Sequence, residues 1–344
     1  MKQSIFPAEG QFYKANLHCH STLSDGHLTP EELKEIYKSA GYSILAYSDH
    51  NLLLDHSDLR DEDFLAMNAV EIDVNKEGEQ AWERRPCYHI NFFHRDPHHV
   101  ALPCYNPKYV WGKSQVELRE TQPYIGTNDY HRDYEQIGEL LNDFSRAGFL
   151  AMVNHPTWSM QTMEDYAKLE VGSFFALELY NHGCAVSGFD ENNTHVYDEL
   201  LRRGHRIFGT ATDDNHNAHP QGDPRFDSLG GFVMVKATAL TQEAVWDALK
   251  AGHFYASTGP LIEDLYIEDD ILVVKTSPSV KVMMTSGVRH ARVAYPKEGA
   301  ETMTEARFDL SRTWPGYVRV TVLDGQGRAA WSQPIYGEFS KRTK

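Results

Sequence analysis

Histidines and carboxylates recur along this chain in short motifs whose types and spacing suit one shared task. Asn16-Leu17-His18-Cys19-His20 comes first, then Ser24-Asp25-Gly26 and Ser48-Asp49-His50. Glu71 sits in Val70-Glu71-Ile72, and His89 follows. His155 lies in Asn154-His155-Pro156, and Asp214-Asn215-His216 closes the series. Side chains of these kinds, brought together, hold divalent ions. Several such ions make hydroxide at neutral pH and clamp an anionic oxygen.

Alternate residues of an extended segment point to one face, so His18 and His20 reach one cavity while Cys19 turns away. The same rule pairs Asp214 with His216 and sends Asp213 elsewhere, provided the backbone is extended there. A lone His-x-His is usually two ordinary polar residues. That bland reading loses ground when Asp-His, a strand-flanked Glu, His-Pro and Asp-x-His follow in order. Imidazole and carboxylate donors without cysteine suit Zn, Mn or Fe.

The elements that must position these residues are legible in outline. Residues 15–19 and 43–48 read as strands. Between them, Thr29-Pro30-Glu31-Glu32 supplies an N-cap, a proline at the first helical position and a capping-box glutamate. Leu33, Ile36, Tyr37 and Ala40 follow on one helical face, and Gly41 is the stop. Ile137, Leu140, Leu141 and Phe144 mark another helix. Residues 149–153, 174–180 and 206–211 read as strands, and 197–203 and 241–250 as helices. Repeated strand–helix units predict a parallel sheet or barrel with its site at the carboxyl ends of the strands. Residues 95–133 break the rhythm. They read either as a loop partly covering the site mouth or as a surface insertion. After Gly259-Pro260 apolar and polar residues alternate, which predicts a small antiparallel all-β domain over residues 261–338 and a tail at 339–344.

A length of 344 residues suits one large domain, residues 1–260, plus this small one. The net charge of −16 disfavours a long nucleic acid as partner. A small anionic substrate stays compatible, because bound cations offset ligand carboxylates. Cys19, Cys87, Cys104 and Cys184 form no CxxC pair and read as free thiols of a reducing compartment. The first residues lack the apolar core of a signal peptide, and no stretch approaches about 20 apolar residues. The expectation is a soluble, cytoplasmic protein with no membrane partner.

In combination, the motifs resemble those of the PHP (polymerase and histidinol phosphatase) superfamily of metal-dependent hydrolases, across about residues 12–260. The resemblance implies a distorted (β/α)7 barrel with two or three divalent ions at its carboxyl mouth. It implies one ion on His18, His20, Glu71 and Asp214. A second ion would share Glu71 and add His89 and His155, and a third would take Asp25, His50 and His216. His94, His98 and His99 lie close to His89 in a poorly patterned stretch and compete for its place. A second signature, Ala251-Gly252-His253-Phe254-Tyr255-Ala256-Ser257-Thr258-Gly259-Pro260 before the β-rich tail, is similar to a branch named after carbaryl hydrolases.

The implied mechanism is hydrolysis by a metal-bridged hydroxide. Asp49 is either a partner for a metal-binding histidine or a strand-end carboxylate capping a loop. His182 is a candidate general acid at the end of a strand, Glu178 a supporting carboxylate, and Tyr180 and Asn181 pocket candidates. Arg95, Lys113, Arg132 and Arg225 are the candidate phosphate contacts, each against the reading of a solvated surface charge. Three functions follow. The first is a phosphoesterase acting on a small phosphorylated metabolite or nucleotide. The second is a carboxyl or carbamate ester or amide hydrolase using the same ions. The third is a non-catalytic, metal-stabilised binding module.

Overall fold

The computed structural model describes residues 2–107, 110, 116–126, 132–311 and 316–337. Lys113 and the predicted tail lie outside the described residues.

Short, doubly apolar runs build a large mixed sheet. Gln11–Asn16, Ile44–Tyr47 and Leu65–Asn75 run parallel as neighbours. Phe149–Val153, Ala176–Asn181 and Phe208–Thr212 form a second parallel group. Cys87–His94 joins the two groups and is antiparallel to both neighbours. This departs from uniform strand–helix repetition, and the reason is chain length. Only residues 76–86 connect Leu65–Asn75 to Cys87–His94, and a parallel return needs a crossover of a dozen residues or more.

Phe208–Thr212 is one edge of this sheet. No ladder joins it to Gln11–Asn16 among the described residues. The two meet just beyond their ends instead. The Asp214 amide donates to the His18 carbonyl at 3.0 Å, and the His20 amide to the Asn215 carbonyl at 3.1 Å. Curling the sheet so that these ends touch is what gathers the motif residues.

The first helix begins where its cap predicts. Pro30–Ser39 has the reciprocal Thr29–Glu32 capping box and buries Leu33 and Tyr37, a cap worth about 1 kcal/mol. Ile137–Arg146 buries Ile137, Leu140, Leu141 and Phe144. Gln242–Ala251 ends at Gly252, whose φ of +72° is the left-handed region glycine enters without strain. No helix among the described residues is long and apolar enough to cross a membrane. All four cysteines are buried, and none is in a disulfide.

The β-rich remainder is stitched into the large sheet. Ala329–Trp331 pairs with Phe254–Ser257, and the sheet continues through Gly316–Leu323, Lys281–Ser286 and Ala291–Ala294. A separate sheet of Lys2–Ser4, Ile262–Glu268, Ile271–Ser279 and Met303–Asp309 packs on it. Ile262, Leu265, Leu272, Val274, Val282, Met284, Val318 and Val320 fill the space between, together with Phe6 and Tyr255. Polar bonds tie this region to the site-bearing sheet and to the helix Thr194–Arg202 beside it. The Gln333 amide accepts from the Gly209 N–H at 2.8 Å and donates to its carbonyl at 2.9 Å. Arg319, buried, forks onto Asp198 at 2.8 and 2.7 Å.

These junctions predict that residues 1–260 do not fold alone. Truncation would strip Phe254–Ser257 of a paired strand and Gly209 of both partners. Size-exclusion chromatography and thermal melting should show an aggregated or non-cooperative species, whereas a monodisperse, cooperatively melting fragment would contradict it.

Candidate metal centre

The centre is built around Glu71, buried within Leu65–Asn75. Five imidazoles face its two oxygens. His18 Nε2 lies 3.3 Å, His89 Nδ1 3.2 Å and His155 Nε2 3.5 Å from Oε1. His20 Nε2 and His50 Nδ1 each lie 3.2 Å from Oε2. Asp214 Oδ1 sits 3.1 Å from both His18 Nε2 and His20 Nε2. Asp25 faces His20, His50 and His216 at 3.6, 3.9 and 3.4 Å.

His18, His20, Glu71 and Asp214 therefore converge as one potential ligand set. Asp25, His50 and His216 converge as another, with His20 added. His89 and Glu71 gather with His50 as a third. His155 belongs to the same neighbourhood through Glu71 Oε1, and its ring lies 5.0 Å from that of His89. His89, not its neighbours, points inward: His94 stacks on His99, and His98 meets Asp55.

The donor chemistry fits divalent cations. His18 Nε2 and His20 Nε2 stand 3.1 Å apart, with two carboxylates against them. Such a cluster carries more lone pairs than protons. His20 Nδ1 is buried without a hydrogen-bond partner among the described residues. Nitrogen and oxygen donors in this proportion suit Zn, Mn or Fe.

Protonation of the cluster without ions shows the same need for positive charge. Burial opposes charge on His18, but Asp214, Glu71 and Glu178 outweigh it and raise its pKa to about 10. Burial likewise opposes charge on His20 and His89. Asp214 and Glu71 lift His20, and Glu71 lifts His89, both well above the usual imidazole range. His216 is raised too, by Asp25 and Asp214 against burial and His20. His50 is the exception: burial and the charges on His20 and His89 outweigh Glu71 and Asp25, lowering it to about 4. Burial favours neutral carboxyls, yet the histidines hold Glu71, Asp214 and Asp25 below the carboxylate range.

A second layer fixes the rings. Glu178 accepts from four donors: His18 Nδ1 at 2.7 Å, the Thr212 hydroxyl at 2.5 Å, the His155 amide at 2.7 Å and Asn181 Nδ2 at 2.9 Å. This orients His18 so that Nε2 faces the centre. Asn154 Nδ2 donates to Glu71 Oε1 at 2.7 Å, a role that its place before His155 did not reveal.

The structure separates the remaining candidates. Among the described residues no hydrogen bond or ion pair joins Asp49 to a histidine. Its carboxylate accepts from the Ser21 amide and hydroxyl and from the Ser24 hydroxyl, so it caps the loop that carries Asp25. His182 bonds the Tyr180 hydroxyl at 3.0 Å and packs against Gly230. It does not line the cleft above the centre, and neither does Tyr180 or Asn181. This is poor placement for a general acid. Asp214 does face the centre while Asp213 faces away, but not by strand alternation. Asp214 has φ +51°, and Asp213 is held by the amides of Leu229, Gly230 and Gly231.

The cleft has a volume of about 340 Å³. Trp82, Trp158, Asp73 and Asn75 line one side, and His219 and Arg225 line it elsewhere. Neither tryptophan carried a pattern that sequence reasoning could use. Arg225 forks onto Asp223. Arg132 bonds the Asn51 side chain and lies 4.0 Å from Asp73. Arg95 forks onto Asp247 away from the cleft. The described residues of the 95–133 stretch do not line the cleft; Gln122 instead braces the Leu53 amide.

Comparisons with known proteins add the following. No protein-family model matches the chain. A 5′-3′ exoribonuclease of Haemophilus influenzae is 38% identical over 153 residues, covering 38% of this chain and 53% of that protein. The chain thus spans about half the length of the curated relative it matches. Among solved structures, a two-domain protein containing a predicted PHP-like metal-dependent phosphoesterase from Bacteroides vulgatus aligns over 97% of this chain and 98% of its own. Its identity is 13% and its TM-score 0.47. A putative metal-dependent phosphoesterase from Bifidobacterium adolescentis covers 65% of this chain and 94% of its own, with 16% identity and a TM-score of 0.39. An amidohydrolase from Chromobacterium violaceum covers 70% and 96%, with 16% identity and a TM-score of 0.41.

Two outcomes are expected from this geometry. Glu178→Gln turns an amide towards groups that all donate, and should weaken metal binding by roughly 10- to 100-fold, as measured by competition with a chelating dye. The second concerns pH. A raised histidine contributes stability that is full below its unfolded value near 6.5 and is lost as pH rises through its folded value. The lowered carboxylates contribute above about pH 4 and lose it in acid. His50 works against stability as pH falls from about 6.5 towards its folded value of about 4. Metal-free protein should therefore lose thermal stability from about pH 6.5 towards pH 10, while the rise in Tm on adding Zn or Mn grows over the same span. Calorimetric scans with and without chelator test the pair; a metal-free Tm that climbs over that span contradicts it.

Proposed function

We propose that this chain is a metal-dependent phosphoesterase of the PHP type that hydrolyses a small phosphorylated metabolite or nucleotide. The observation that carries this reading is the convergence of eight histidines and carboxylates around Glu71 at the base of a cleft. The local match to a protein named as an exoribonuclease supports the same ester chemistry.

In this reading His18, His20, Glu71 and Asp214 hold one ion, and Glu71, His89 and His155 a second. Asp25, His50 and His216 hold a third. Divalent ions at such donors acidify water and neutralise charge on an ester oxygen. The chain's own residues do the rest. Glu178 keeps His18 in the tautomer that presents Nε2. Asp49 holds the loop of Asp25 in place. Arg225 offers a cation at the cleft for an anionic group. The buried thiols, none of them in a disulfide, support a cytoplasmic setting.

A carboxyl or carbamate ester or amide hydrolase is the second reading. It is favoured by the apolar part of the lining, Trp82, Trp158 and Val186, and by the engagement of Arg225 with Asp223.

Protein loaded with Mn or Zn should release phosphate from a panel of phosphate esters, with His18→Ala reducing the rate at least about 100-fold. A matched panel of aryl esters and carbamates decides between the readings. Turnover of that panel alone, with no phosphate released by fully metal-loaded protein, would overturn the phosphoesterase.

A further inference from the structure

The cleft is chemically lopsided. On one side Trp82 and Trp158 stand with ring centroids 6.0 Å apart and planes inclined at 60°. Trp158 sets its ring edge-to-face with His155 at 4.8 Å and His89 at 5.2 Å, so it abuts the metal centre and has little room to retreat. Trp82 is 42% exposed, yet its indole N–H is fixed on Asn75 Oδ1 at 3.1 Å. A large apolar ring held open at the cleft by an anchored N–H offers its face to a ligand. The tilt leaves no parallel slot, so a flat ring stacks on one face of Trp82 with its edge towards Trp158.

Beside the tryptophans, Asp73 and Asn75 line the cleft, and Asp73 brings a carboxylate to it. Asp73 is itself held by Asn51 Nδ2 at 2.7 Å and Asn75 Nδ2 at 2.9 Å, which fixes it to meet an amine on the ring edge. His219 and Arg225 also line the cleft and suit the anionic end of the same molecule. A planar ring with amine-bearing edges, joined through a polar spacer to a phosphate, describes a nucleotide. The cavity of about 340 Å³ lies at the small end of ligand pockets, and a net charge of −16 does not suit a long polyanion.

We propose that Trp82 and Trp158 form a base-recognition wall, and that the substrate of this centre is a mononucleotide. The inference rests on the phosphoesterase reading for the reaction but not for the binding. Stacking of a base on an aromatic side chain is commonly worth about tenfold or more in affinity. Trp82 sets that discrimination without touching the reacting atoms.

The test uses phosphonate isosteres of adenosine monophosphate and of ribose 5-phosphate, in which a methylene replaces the ester oxygen so that cleavage cannot occur. Calorimetry with metal-loaded protein should give at least about tenfold tighter binding of the nucleotide isostere. Trp82→Ala should erase that preference while leaving the ribose isostere unchanged, and Trp82→Phe should restore part of it. Equal binding of the two isosteres by the native protein overturns the proposal. So does a preference that survives Trp82→Ala, or phenylphosphonate binding as tightly as the nucleotide isostere. Phosphate release from adenosine monophosphate is scored separately. A nucleotide bound through Trp82 but never cleaved sinks the phosphoesterase and leaves the wall standing, whereas phosphate release with no base preference does the reverse.

Discussion

One carboxylate governs this structure. Glu71 is buried within a strand, and five imidazoles meet its two oxygens. An ionised carboxylate in such a place is tolerable only with compensating positive charge or donors. Asn154 supplies one donor, and the histidines supply protons or, when deprotonated, coordinate cations. Metal binding and the protonation of the cluster are therefore two answers to one electrostatic requirement, and they exclude each other. The strands ending at Asn16, Tyr47, Val153 and Thr212 each lead into a histidine or carboxylate of this cluster, and Cys87–His94 carries another.

That arrangement is held by backbone as much as by side chains. Asn51, His155, Asp214 and Asn217 adopt positive φ, which non-glycine residues enter at a cost of order 1 kcal/mol or more. All lie just past strand ends at the centre. Each is over-determined by its surroundings. Asp214 donates its amide to His18, and His155 donates its amide to Glu178. The Asn51 amide donates to the Glu71 carbonyl, and Asn217 is held by Asp227 and Ser228. The strain re-aims side chains that plain strand continuation would send elsewhere.

The C-terminal β region participates in the same logic at longer range. It extends the sheet from Phe254–Ser257 and grips Gly209 through Gln333. Gly209 lies in Phe208–Thr212, the strand that delivers Asp214. The region therefore buttresses a strand that the centre depends on, at its outer edge, without lining the cleft.

The identities of the nine clustered residues, the capped helix at Pro30 and the change of style after residue 260 could be read from the chain alone, because spacing, caps and alternation are local. His18 and His20 sharing a face was also legible, although the strand proper ends at Asn16. Asp214 does face the cluster, but through a left-handed backbone and not the extended one its spacing implied. Asp49 and His182 were ambiguous in sequence because a polar residue at a strand end looks the same whether it serves a metal ligand, a loop or a neighbouring tyrosine. Which histidine near residue 89 turns inward, the grip of Glu178 on His18 and His155, the antiparallel insertion of Cys87–His94 and the tryptophan wall were decided only by tertiary structure. Each joins residues distant in the chain, and such pairing leaves no periodic trace in either partner. The sequence determined the stock of donors; the curl of the sheet decided which of them meet.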